Sequence, residues 1–123
     1  FRRKDFFHGD KAGASPDIQW YNIDGSNPDW NKLSRFLAFR LGGSYCINDD
    51  GTPDNDFYIA ANTDRQDAMV TVPTLTDGKR WYRVADTSID ADDAIVLTDK
   101  AEKLRAQERY IVPAGSLIIL IAK

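Results

Sequence analysis

The chain has one cysteine, Cys46, and one histidine, His8, among 123 residues. A single cysteine excludes an internal disulfide, and this pair is too small a set for a tetrahedral zinc site. A Ser-His-Asp or Cys-His catalytic arrangement would have to use His8, and no G-x-S-x-G supplies a nucleophile. No apolar run approaches the roughly 20 residues that cross a bilayer, so no membrane segment is expected. No Asn-x-Ser/Thr acceptor occurs, and position 1 is Phe1 rather than an initiator Met, so a piece of a longer protein is expected. Lys and Arg total 16 against 19 Asp and Glu, a net charge of −3 with the signs mixed. Without a basic stripe, nucleic acid is not expected as a partner. The lone cysteine fits a reducing compartment, and a cytoplasmic location is the expectation.

What the sequence does have is strands. Residues 117–122 are apolar without a break. Leu117, Ile119 and Ile121 fall on one face, and Ile118, Leu120 and Ala122 on the other. A strand apolar on both faces does not belong at a sheet edge or against water, so a central strand is predicted. Pro113-Ala114-Gly115-Ser116 before it is a turn, across which residues 110–112 are expected to pair with residues 117–122. Further strands are predicted over residues 17–23, 34–41, 57–62, 68–72 and 79–85, with a short edge strand at 95–97. Thr76-Asp77-Gly78 reads as a hairpin turn. Asn27 as N-cap and Pro28 at the first helical position predict one or two helical turns through Leu33. Short strands at regular spacing, without a long helical pattern, give an all-β antiparallel sandwich with an irregular N-terminal connector. Its core is expected to hold Leu37, Phe39, Ile59, Val70, Val72, Val84 and Ile119.

Chemistry is harder to find. Asp49, Asp50, Asp54 and Asp56 cluster, as do Asp90, Asp92 and Asp93, but the spacing of a calcium loop and its distal Glu are missing. Such acidic turns are expected to cap strands and face water. A glycosidase needs two carboxylates held across a cleft, and no particular pair stands out among 19 acidic residues. The aromatic residues Trp20, Tyr21, Trp30, Trp81 and Tyr82 have the flat faces that stack on sugar rings, yet large aromatics are more often spent on packing. Trp81, inside a flanked strand, is the clearest core candidate.

Several fragments in order give the chain a family likeness. They are Phe1-Arg2-Arg3 with Phe6-Phe7-x-Gly9, Asp17-Ile18-x-Trp20 with Asp24-Gly25 and Trp30, and Leu37-Ala38-Phe39-x-Leu41-x-Gly43. Asp56-x-Tyr58-x-Ala60-x-Asn62, Trp81-Tyr82-Arg83-Val84-x-Asp86-Thr87 and Tyr110-x-Val112-Pro113-x-x-Ser116 complete the set. In this order and spacing the chain resembles the C-terminal part of isoamylase-type and glycogen-debranching enzymes of the alpha-amylase superfamily.

The resemblance implies a parent with a (β/α)8 barrel that hydrolyses α-1,6 branch linkages of glycogen- or starch-like glucans through two carboxylates. Those carboxylates would lie upstream, so no catalytic, cofactor or metal residue is expected in this chain. Residues 1–33 would be the connector against the barrel, and residues 34–123 the sandwich. The barrel of the same polypeptide would be the partner, and α-glucan is a further candidate. Phe6, Phe7, Trp20 and Trp30 are the candidate contacts to barrel or carbohydrate. Glucan binding by the chain alone is expected to be weak or absent. The other readings are a free-standing carbohydrate-binding module, and a sandwich that mediates protein contacts.

Overall fold

The computed structural model describes residues 17–32, 34–44 and 47–123. The expectations placed on Phe1, Phe6, Phe7, His8, Leu33 and Cys46 therefore lie outside the described residues. Among the described residues eight strands form, in the order β1 (Ile18–Tyr21), β2 (Phe36–Leu41), β3 (Phe57–Asn62), β4 (Ala68–Thr71), β5 (Trp81–Asp86), β6 (Glu102–Lys103), β7 (Arg109–Val112) and β8 (Ser116–Ala122). A six-stranded sheet runs β1-β2-β3-β8-β5-β6, and a two-stranded sheet pairs β4 with β7. Every pairing is antiparallel. The all-β expectation holds, and β8 is the interior strand its composition required, between β3 and β5.

The two sheets share one core. Ala38, Tyr58, Ala60, Ile118, Leu120 and Ala122 of the large sheet are fully buried against Val70 and Val112 of the small one, with Trp81 beside them. Hydrogen bonds tie this gap shut. The Trp81 indole N–H donates to the Pro73 carbonyl at 2.8 Å. Asn62, itself buried, donates to the Val112 carbonyl at 3.0 Å and the Gln66 carbonyl at 2.8 Å. The Tyr110 hydroxyl of β7 donates to Asp86 of β5. Asp86 reaches the inner face because of a β-bulge between Arg83 and Ala85. The bulge shifts the alternation by one residue and sets Asp86 opposite the buried Ile118. At the other end Arg40 pairs with Asp56, whose second oxygen accepts the Gly43 N–H at 2.6 Å. A Cβ on Gly43 would lie 1.9 Å from the Asp54 carbonyl oxygen, so only glycine fits this approach.

Four expectations change. Leu37, Phe39, Val84 and Ile119 are not in the inter-sheet core but on the opposite face, and Ile59, though buried, joins them there. With both faces apolar, the alternation carries no mark of which one meets the second sheet. Second, β7 and β8 do not pair with each other; the turn between them, with Gly115 at φ 67, carries the chain from the small sheet to the large one. The turn at Asp77 (φ 60) and Gly78 (φ 73) likewise joins strands of different sheets, since β4 belongs to the small sheet and β5 to the large. Third, among the described residues no helix forms over residues 27–32. Asp29 instead accepts the Asn31 N–H at 3.0 Å in a local turn, because no apolar period follows to bury a helical face. Fourth, residues 95–97 make only a single bridge, Ile95 to Ala85.

Candidate functional site

The face of the large sheet turned away from β4 and β7 is apolar from strand to strand. Register defines its rows. Ile18, Leu41, Phe57, Ile121 and Tyr82 lie side by side, and so do Trp20, Phe39, Ile59 and Ile119. Leu37, Ala61 and Leu117 start a third row. Leu41, Phe57, Ile59 and Ile121 are buried in this layer, and Ile18, Phe39, Tyr82, Val84, Leu117 and Ile119 are half-buried around them. A sheet with one solvated face alternates polar residues outward, and this one does not. The centre of this face is already buried within the chain, and its rim, with Leu37 42% exposed, is the part open to solvent.

One corner of that face carries the exposed aromatic. Trp20 is half-buried and tilts against Phe39, with ring centroids 5.1 Å apart. Trp30 meets Trp20 edge to face at 5.6 Å and 82°. Trp81 is spent on the core, as its strand position suggested, but Trp30 remains 67% exposed. Beside it opens a cleft of about 550 Å³. Its apolar side includes Leu37 and Ala61, and its polar rim includes Asp29, Lys32, Arg35 and Thr63. Lys32 and Asp29 pair loosely at 4.0 Å. The structure thus brings Trp20 and Trp30 together as neighbours, while Phe6 and Phe7 lie outside the described residues.

The acidic turns have local work. Asp50 accepts the Thr52 N–H at 3.0 Å and the Thr52 hydroxyl at 2.6 Å, and the hydroxyl bond holds its carboxyl below the ordinary carboxylate value. Asp24 does the same with Ser26, and its carboxyl is lowered for the same reason. These are turn-stabilising bonds of the kind the sequence suggested. Leu37, Phe39, Val84 and Ile119 are expected in the core but keep part of their surface in this outer layer, whereas Ile59 is buried as expected. Only strand register separates the two layers, and register is not written in a strand that is apolar on both sides.

Comparison with known proteins places these features. The family described as isoamylase 1–3, C-terminal, matches residues 19–116. The chain is 28% identical over 126 residues to isoamylase 2, chloroplastic, of Oryza sativa subsp. japonica, covering 99% of this chain and 16% of that protein. It is 29% identical over 93 residues to isoamylase 1, chloroplastic, of Arabidopsis thaliana, covering 76% of this chain and 11% of that protein. With isoamylase SU1, chloroplastic, of Zea mays it shares 32% over 78 residues, covering 63% of this chain and 9% of that protein. The chain thus spans about a sixth or less of the length of these curated relatives. Their names correct the expected cytoplasmic location, since each of these relatives is named as chloroplastic. A lone cysteine reports on redox conditions, whereas organelle addresses are carried by targeting segments distinct from the folded domain. With a match that runs from β1 into the start of β8, the chain belongs to the isoamylase 1–3 C-terminal domain family.

Proposed function

We propose that this chain is the non-catalytic accessory domain of a debranching glycoside hydrolase of the alpha-amylase superfamily. The enzyme's substrates are the α-1,6 linkages of glycogen- or starch-like glucans, and the domain buttresses its catalytic barrel. The observation that supports the buttress is the apolar outer face of the six-stranded sheet. Burying a large apolar side chain completely contributes roughly 1.5–3 kcal/mol, so several half-buried ones meeting a partner together fix the geometry between two domains. The partner is the barrel of the same polypeptide. The division we propose differs slightly from residue 33, because β1 at Ile18–Tyr21 is already the first strand of the sheet. The sandwich then starts near Ile18, and the connector precedes it.

Trp20→Ser tests the reading. In this chain alone the substitution lowers the melting temperature modestly, since Trp20 is half-buried in β1 and packs on Phe39 and Trp30. In the full enzyme it lowers the melting temperature by clearly more. An equal or smaller drop in the full enzyme contradicts the buttress. The chain alone releases no reducing ends from pullulan or glycogen, and turnover that survives removal of contaminating enzymes contradicts the non-catalytic assignment.

A further inference from the structure

The cleft beside Trp30 lies at a corner of the outer face and shares Leu37 and Ala61 with it. An indole left 67% exposed in a turn is not core, and its neighbour Trp20 holds it edge to face at 5.6 Å. A supported ring keeps its orientation, so stacking on it costs little ordering of the side chain. The cleft's volume of about 550 Å³ falls within the roughly 300–1,000 Å³ typical of small-ligand sites. Its composition is of the same type: apolar walls from Leu37 and Ala61, with a few polar groups at the rim. The Asp29 carboxylate accepts hydrogen bonds, while Lys32 and Arg35 donate them. Among the described residues Arg35 has no ion-pair partner, and Lys32 has only the 4.0 Å contact with Asp29. Both signs of charge stand at the rim, which suits a neutral ligand rich in hydroxyls better than an ion. A pyranose offers that combination, with an apolar C–H face for the indole and a girdle of hydroxyls that both donate and accept.

We propose that this cleft is a binding subsite for an α-glucan chain, with Trp30 as the stacking platform and Asp29, Lys32 and Arg35 bonding the sugar hydroxyls. The choice of α-glucan as ligand rests on the debranching reading above. The site would hold a strand of the polymer away from the catalytic centre. This revises the expectation that the chain binds glucan weakly or not at all, and the exposure of Trp30 is the reason.

The test uses this chain, with maltoheptaose as α-linked probe, cellohexaose as β-linked control, and intrinsic tryptophan fluorescence as readout. Affinity electrophoresis in glycogen gels gives a second readout. Saturable binding of maltoheptaose is expected, with little response to cellohexaose. Trp30→Ala is expected to raise the dissociation constant at least about tenfold and to abolish retardation by glycogen. Trp30 is exposed, so the variant folds, which an unchanged melt checks. Absence of binding to maltoheptaose, equal binding to cellohexaose, or binding that survives Trp30→Ala each overturns the proposal. None of these outcomes bears on the buttress, which is read from the melting of the full enzyme.

Discussion

The two faces of the six-stranded sheet are made from the same strands, and they differ in what meets them. On the inner face Ala38, Tyr58, Ala60, Ile118 and Leu120 lose all exposure under the small sheet. On the outer face the interleaved residues Leu37, Phe39, Leu117 and Ile119 are as apolar but keep part of their surface, and Leu37 is 42% exposed. The inner face also carries interlocking polar ties, Asn62 to Val112 and Tyr110 to Asp86. Those ties make the fold internally complete on one side. Among the described residues no second layer of strands lies on the outer face; Leu41, Phe57, Ile59 and Ile121 at its centre are buried, and its rim is the area the proposed partner would cover.

Breaking the inner face should have the largest effect. Trp81→Ala removes a side chain that is 1% exposed and its bond to Pro73, and is expected to cost about 3–5 kcal/mol in urea unfolding of this chain. A loss under about 1 kcal/mol would mean that the inner layer is not the main core. Next comes Asn62→Ala, which leaves the Val112 and Gln66 carbonyls without this donor, and is expected to cost about 1–3 kcal/mol by the same measurement.

Alkali should loosen the Tyr110–Asp86 tie. Burial first, and then the bond to Asp86, raise the Tyr110 hydroxyl from its ordinary 10.0 to about 12. The folded state therefore favours the neutral hydroxyl. Its contribution is complete below about pH 10 and is lost as pH rises through about 12. Burial raises the Tyr58 hydroxyl as well, which adds to the same alkaline loss. Melting temperatures between pH 9 and 12 should fall less steeply in Tyr110→Phe than in the native chain, a range set by these ionisations. Equal slopes would remove Tyr110 from the account.

The smallest effect sharpens the comparison. The Tyr58 hydroxyl is buried with no hydrogen-bond partner among the described residues. Tyr58→Phe deletes a polar group that costs free energy to bury, so stability should stay the same or rise slightly. A loss above about 1 kcal/mol would reveal a bond on the inner face that the geometry does not contain.

Much of this was legible in the residues, for identifiable reasons. β8 announced its interior position because it has no polar side to turn to water, and β3 was bounded correctly at Phe57 and Asn62 for a similar reason. The same property hid which of its faces is inner, and the error propagated to Leu37, Phe39, Val84 and Ile119. Turn residues were legible as turns. The glycine and aspartate at Gly78 and Asp77 do adopt positive φ, but local backbone geometry does not say whether the next strand stays in the sheet. The helical reading at Asn27 and Pro28 relied on a start signal without an amphipathic run behind it. Trp20 and Trp30 look alike as residues. Only the structure separates the half-buried one from the exposed one, because a loop aromatic carries no periodicity from which burial can be read.

The central claim is that the outer face serves a partner and the inner face serves the fold. Ile119→Lys tests it most directly, since Ile119 is half-buried in the middle of the outer layer and a lysine there can carry its charge to water. The melting temperature of the variant is measured twice, in this chain and in the full enzyme. The account predicts a small shift in the chain alone and a clearly larger drop in the enzyme, where the ammonium would be forced into the interface. Equal shifts in the two, or a chain that unfolds while the enzyme is unaffected, would contradict it.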